Sequence, residues 1–518
     1  MEEYVLERLA ASADAVVAGL GPVAAELGRL AGRARGAATL DAMEALVVEQ
    51  GRELLRGLLQ LSLDAQAAAE VRLASVTGAD GVARGRAERG HARTVVTTLG
   101  PVVVARIAYR SGVKGAGALF PRDAALGLPP CGYSWALQRL AVTFARSGSY
   151  EQAREFLLAV TGVGVGKRQL EQLAAAAAAD AERFGRDRPG QAGPQQEQEQ
   201  EQEQELAPLA ISADGKGVAM RPEARRKTAV APGARMRNFE HRRGTGEKGH
   251  KRMAETACVF DVAVPGGPGR TPGQVMRPDP GPRARPAAPR AVNRWYACDI
   301  TAGRDVTIAR AFDEAERRDP ARRRPWIALV DGDTRQIALI QGQAQARGVA
   351  VTILIDFIHV LEYLWKAAWC FHAPRDPAME DWVTAQALDI LAGRAAEVTA
   401  RIGRLAAEHP PKGSEHAKII RKTLHYLHAK QPYLDYPAAL AAGWPIATGV
   451  IEGACRHLVQ DRMAITGARW GLQGAQAILW LRAIHAGGDT DAYWDYHITQ
   501  EHQRNHHSRY ADNNALAA

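Results

Sequence analysis

The chain has 518 residues, with 66 Lys and Arg against 57 Asp and Glu, so it carries a net charge of +9. That length suggests two to four domains, and the basic balance favours an anionic partner, of which nucleic acid is the commonest. The composition excludes several classes. The 46% hydrophobic content is that of a globular protein. Asp356 and Glu362 interrupt the best apolar run, so a membrane span is not expected. The five cysteines (Cys131, Cys258, Cys298, Cys370, Cys455) form no CxxC pair, which argues against a zinc ribbon and fits a reducing cytoplasm. Met1-Glu2-Glu3 opens acidic, and no secretory signal is expected after it.

Residues 1–90 read as a helical N-terminal region, with Ala42 to Ala69 as one long amphipathic pattern. Residues 91–189 read as a β-hairpin, Thr94 to Tyr109 around Gly100-Pro101, followed by helices. Ser149 is placed to cap a helix through Val160. Gly162-Val163-Gly164-Val165-Gly166 then leads into Lys167-Arg168-Gln169. A phosphate loop needs Ser or Thr where Arg168 stands. Helix, glycine turn and basic helix fit helix-turn-helix better, with Lys167, Arg168 and Gln169 facing DNA, and an ordinary helical hairpin is the alternative. Alternating Gln and Glu over residues 190–205 cannot bury a core and read as a linker.

Residues 206–372 change character. Leu206 to Ala213 is strand-like and ends on Asp214-Gly215-Lys216-Gly217. A basic arm follows, Arg221 to Arg252, with Arg225, Arg226, Lys227, Arg242, Arg243, Lys251 and Arg252 as candidate phosphate contacts or a merely solvated loop. Glu255 to Val264 and Trp295 to Ile300 read as further strands, and Arg304 to Arg318 as a helix. Trp326 to Val330 ends on Asp331-Gly332-Asp333, and Val349 to Ile355 ends on Asp356. Both runs are continuously apolar, as in a parallel pair buried on both faces. Residues 373–441 read as an all-α insertion. Residues 442–487 resume the core with a helix bearing Glu452, Arg456, Asp461 and Arg462, then Arg469-Trp470. Residues 488–518 read as a polar, loosely ordered tail.

The order, three strands, helix, strand, helix, strand, helix, insertion and late helix, is that of the ribonuclease H-like fold, an α/β mixed five-stranded sheet. There the first and fourth strands are neighbours, so Asp214 and Asp331 would meet and Glu452 would cross to them. Converging carboxylates repel unless cations compensate. Two Mg2+ or Mn2+ ions, held by Asp214, Asp331 and Glu452, would suit an in-line displacement at phosphorus. Asp356 and His359 form an Asp-x-x-His pair, read either as a helix cap or as auxiliary metal ligands. Trp365 and Trp369 read as core. Trp470 reads as core or as a platform for an unpaired base, with Arg469 on the phosphate.

Five stretches carry a resemblance: Asp214 to Val218, Lys251 to Ala254, Val330 to Gly332, Asp356 to Trp365 and Thr448 to His457. They resemble the ISKra-type bacterial insertion-sequence DDE transposases, similar in plan to Mutator-type enzymes. The resemblance implies metal-dependent cleavage at insertion-sequence ends and strand transfer into target DNA, in a bacterial cytoplasm near the nucleoid. It implies Asp214, Asp331 and Glu452 as the three acids, and Asp356 and His359 as the C/D-x-x-H signature after the second. Partners would be terminal inverted repeats and target duplex, bound by a homodimer or larger assembly. The alternatives are a ribonuclease H-like endonuclease without strand transfer and an inactive, transposase-derived DNA-binding protein.

Overall fold

The structure, a computed structural model, describes residues 21, 25–188, 207–225, 250–265, 269–276, 288–373, 375–410 and 413–511. The expected linker at 190–205 and the arm residues Arg226, Lys227, Arg242 and Arg243 lie outside the described residues. The chain divides into two compact units, Met1–Gly185 with Thr490–Ala518, and Arg186–Asp489.

The first unit opens on a long helix, α1 (Leu40–Ala68), started by Thr39, whose hydroxyl accepts from Ala42 N at 3.2 Å. An antiparallel hairpin follows, β1 (Arg86–Thr97) and β2 (Gly100–Arg110). Its tight turn needs Gly100, whose φ of +119° disfavours any side chain. Leu59 and Leu63 of α1 pack against Val95, Val102 and Val104 of the hairpin. Next come α2 (Trp135–Ser147), α3 (Tyr150–Thr161) and α4 (Lys167–Ala177). Ser149 and Gln152 form a reciprocal capping box at the start of α3. Gly162 ends that helix at φ +71°. Apolar positions three and four apart bring Leu137, Ala141, Ala145, Leu157, Leu170 and Leu173 into one core. The three helices therefore form a compact unit in which α3, turn and α4 follow one another as the sequence suggested.

The second unit is mixed α/β. Its strands are β3 (Leu209–Ala219), β4 (Lys251–Ala263), β5 (Arg290–Asp299), β6 (Trp326–Val330) and β7 (Val351–Ile355). They form one five-stranded sheet in the order β5-β4-β3-β6-β7. The middle one of the first three, β4, runs antiparallel to both β3 and β5, while β3, β6 and β7 run parallel. All five residues of β6 are buried, as a central parallel strand covered on both faces requires. Helices α5 (Arg304–Arg318), α6 (Thr334–Arg347) and α7 (Phe357–Phe371) connect and follow the parallel strands. The insertion is helical as expected: α8 (Pro377–Leu391), α9 (Ala395–Glu408), α10 (Ser414–Lys430) and α11 (Tyr436–Ala441). Then α12 (Gly449–Ala454) passes into a π-helical stretch, Cys455–Gln460, and α13 (Leu472–Ala486) closes the unit. No described helix is long and apolar enough to cross a membrane.

The expectation of a loosely ordered tail is corrected. Residues Thr490–Asn505 form a 16-residue helix, α14, belonging to the first unit. Tyr493, Trp494 and His497 are buried, and the Tyr493 hydroxyl donates to Ala177 O at 2.5 Å. Histidine and tyrosine supply much of its buried face, so an apolar count along the sequence misses it.

Candidate functional site

The site lies beyond the carboxyl ends of the parallel strands, where open α/β sheets expose loops and helix starts. Leu209 pairs with Trp326 and Ser212 with Leu329. Continuing that register by two residues sets Asp214 against Asp331. Val330 pairs with Ile355, so one further residue sets Asp331 against Asp356. Asp331 and Asp356 follow the last residues of β6 and β7, on strands about 4.8 Å apart. Asp214 does not end its strand as the sequence suggested: β3 leaves β6 after Ser212 but stays paired with β4 through Ala219, so Asp214 lies mid-strand where the parallel pairing stops. The strands part here because Gln336 of α6 donates its amide to Ala213 O, a carbonyl facing β6. Gly332 turns the chain away at φ +97°, and a Cβ there would sit 3.0 Å from the Tyr426 hydroxyl.

Asp356 is fully buried and caps α7, accepting from Ile358 N at 2.8 Å. Its second oxygen meets His359 Nδ1 at 3.2 Å and the Thr448 hydroxyl. Burial pushes the Asp356 carboxyl up, but the bonds from His359, Thr448 and the Ile358 amide outweigh it and hold it below the ordinary value. The bond to Asp356 raises the His359 imidazole, and the Asp331 charge adds to that. Thr448 lies four residues before Glu452, on the same helical face, and its oxygen is also 3.0 Å from Glu452 Oε1. One hydroxyl proton cannot serve two carboxylates. Asp356, His359 and Glu452 each offer a ligand atom within 4.8 Å of the others, a group that could hold a metal ion.

The expected trio Asp214, Asp331 and Glu452 does not form such a group among the described residues. Asp214 accepts from its neighbour Gly215 N at 2.6 Å, and Asp331 accepts from Asp333 N at 2.8 Å. Glu452 is tied to Asp214 through its own helix instead. Three residues on, Cys455 hydrogen-bonds Asp214, and burial first, then that charge, push its thiol up. A π-helical stretch begins at Cys455, a distortion often found at functional sites.

Sequence reasoning missed the cations and hydroxyls around the acids. Arg304 bridges Glu255, at 3.0 Å, and Asp333. Tyr426 stacks on Tyr363 at 3.9 Å and donates to Asp331 O at 3.3 Å. Thr448 could have been found from its helical spacing to Glu452; Tyr426 carried no signal, being 95 residues from its partner.

The candidate nucleic-acid residues divide. Lys167, Arg168 and Gln169 occupy the exposed first turn of α4, with Lys167 2.7 Å from Glu151. Lys216 and Lys251 are exposed on β3 and β4, and Arg252 is half-buried opposite Val218. Arg225 is half-buried, while Arg456 and Arg469 are exposed. Of the two readings of Trp470 the core one holds and the base platform falls: it is 5% exposed, its indole donates to Met463 O at 3.0 Å, and the Arg462 guanidinium lies 4.6 Å from its ring centroid. No face is left for a base. Trp369, expected in the core, is corrected: it is 58% exposed.

A second group of the same kind, Asp180, His497 and Glu501, lies in the first unit. Arg504 already takes both Asp180 oxygens, at 2.6 and 2.7 Å, and His497 Nδ1 meets one of them at 2.7 Å. That group is a closed ion-pair network. No protein-family model matches the chain, and no curated protein matches it.

Proposed function

We propose that the chain is a DNA transposase of ribonuclease H-like fold, cutting DNA at element ends and joining the freed ends to target DNA. The observation that carries this reading is the register that lines up Asp214, Asp331 and Asp356 across three neighbouring strands, with Glu452 brought beside Asp356 through Thr448. The strand order and the helical insertion before Glu452 support it. So do the net basic charge and the three-helix unit presenting Lys167 and Arg168.

The donor set fits a divalent cation. Asp356, His359 and Glu452 bring two carboxylates and an imidazole together, and the single Thr448 proton leaves one carboxylate short of a partner. Asp214 and Asp331 would supply oxygen donors for a second ion. Such cations would neutralise the carboxylates and act as Lewis acids on a phosphodiester. The chain's own residues do the positioning. Asp356 fixes the His359 ring, Thr448 holds the Glu452 side chain toward Asp356, and Tyr426 steadies the Asp331 turn. In the first unit, Lys167 and Arg168 would hold the duplex of the terminal repeats, and a homodimer or larger assembly would bring two ends together.

The test is nicking of supercoiled plasmid with Mn2+ or Mg2+. Glu452→Gln and Asp356→Asn should each lower the rate at least about a thousandfold, since each removes transition-state charge stabilisation. Duplex binding should persist. Asp331→Ala, read beside Asp356→Ala, assigns the second acid. Joining of a labelled element end to plasmid separates a transposase from a hydrolytic nuclease. Nicking that survives in both Glu452→Gln and Asp356→Asn would end this reading.

A further inference from the structure

Two helices that meet the acidic strand ends run side by side away from them. α7 starts on Asp356, and α10 ends on Lys430, whose Nζ donates to Thr334 Oγ1 at 2.9 Å. The helices are antiparallel. Near the acids Tyr363 stacks on Tyr426, and at the far end the Cys370 thiol lies 3.7 Å from His416 O. Leu364, Ala367 and Ala368 are buried on α7, as are Ile420, Thr423 and Leu427 on α10.

The outer faces of the pair are chemically distinctive. α7 exposes Lys366 and Trp369, and α10 exposes Lys418, Arg421 and Lys422. Lys366 and Lys418 pair with exposed Glu362 and Glu415, at 3.1 and 3.6 Å, contacts that contribute little in water. Arg421 and Lys422 have no carboxylate partner among the described residues. A lone exposed apolar side chain is ordinary. An exposed indole and exposed cations carried on two packed helices that rise from a cluster of carboxylates are the elements that bind unpaired nucleic acid: a π-face for bases and cations for phosphates. Trp369 lies thirteen residues along α7 from Asp356, about 20 Å, the reach of about six stacked nucleotides.

We infer that the outer face of α7 and α10 binds single-stranded DNA, with Trp369 stacked on an unpaired base and Lys366, Lys418, Arg421 and Lys422 on the phosphates. Duplex is disfavoured as the occupant of the indole, because its bases are already stacked and offer no free face. The inference rests on the nucleic-acid reading of the acidic site only for where the strand comes from.

The experiment is fluorescence anisotropy of the full chain with labelled oligothymidine, and with a duplex of equal length, at about 50 mM salt without divalent ions. Trp369→Ala should weaken oligothymidine binding about tenfold and leave duplex binding unchanged. Trp369→Phe should restore most of the loss. The double variant Arg421→Glu, Lys422→Glu should weaken oligothymidine binding and flatten its salt slope by about 1 to 1.5. An unchanged oligothymidine affinity in Trp369→Ala, or an equal loss on both probes, overturns the inference. Because Trp369 and the two cations are exposed, the thermal midpoints should stay put; should Trp369→Ala unfold, the salt slope of the charge variant decides. Glu452→Gln must retain oligothymidine binding. Loss of nicking chemistry as a reading therefore leaves this surface standing, and loss of the surface leaves the nicking assay intact.

Discussion

Two groups in this molecule have the same make-up, an aspartate, a histidine and a glutamate with ligand atoms within 4.8 Å of one another, and opposite surroundings. At Asp180 a guanidinium fork spans both carboxylate oxygens, so the charge is met inside the protein. At Asp356 the neighbours are one hydroxyl and one imidazole, and the nearby guanidinium of Arg304 is spent on Glu255 and Asp333. The comparison teaches that residue types do not make a metal site. What decides is whether the protein has already supplied the counter-charge.

The sharpest way to break that comparison is to remove the fork. Arg504→Ala leaves Asp180, which is 3% exposed, buried with only His497 to face. Removing one partner of a buried pair is costly, and Arg504 is partly solvated, so the expected loss is about 2–4 kcal/mol of stability in the first unit. Urea unfolding followed by circular dichroism measures it. Arg504→Lys should recover only part, because an ammonium cannot bridge two oxygens. A loss below about 0.5 kcal/mol would mean the network is not closed by Arg504.

The second group is tested by adding what it lacks. Mn2+ at roughly thirty times its dissociation constant should stabilise the second unit by about 2 kcal/mol, read as a rise in thermal midpoint. Glu452→Gln and His359→Ala should abolish the rise. His497→Ala should keep it, although that variant starts less stable. A rise that disappears with His497→Ala and survives Glu452→Gln would exchange the roles of the two groups.

This contrast also shows how far the sequence could be read. Asp331 and Asp356 were visible because each follows a largely apolar run, Trp326 to Val330 or Val351 to Ile355. Burial on both faces holds only for the first, a central strand; the second lies at the sheet edge with only Leu354 and Ile355 buried. Alternation of strand and helix pointed to a parallel pair, while the placing of the first strand beside the fourth came from matching the element order to a known topology. The insertion was visible as helical pattern without acidic turns. What stayed hidden were groups whose meaning lies in a distant partner. Arg304 reads as a helix-start residue until Glu255 and Asp333 are seen beside it. Arg504 sits in a stretch rich in His and Gln, where nothing local marks it as the counterion of a residue 324 positions earlier. Trp369 was misassigned for the same reason. Helical spacing places Trp365 and Trp369 on one stripe, but which stripe is covered depends on where α10 docks.

The smallest effect expected concerns acid. Burial pushes the Asp180 carboxyl up, but the bonds and charges of Arg504 and His497 outweigh it and hold it below its ordinary value of 3.8. Glu501 and the buried Tyr493 are the other titratable groups facing it. A carboxyl depressed on folding contributes stability that is fully present above the unfolded value and is lost as pH falls through the folded one. The first unit should therefore lose stability from about pH 4 downward, with Asp180 contributing at most about 1.4 kcal/mol per pH unit. In Asp180→Asn that contribution is absent, so the variant, weaker at neutral pH, should converge on the wild type as the solution is acidified. Parallel pH profiles for the two proteins would show that the Asp180 carboxyl is not held down by its partners, and the picture of a network that has met its own charge would fail.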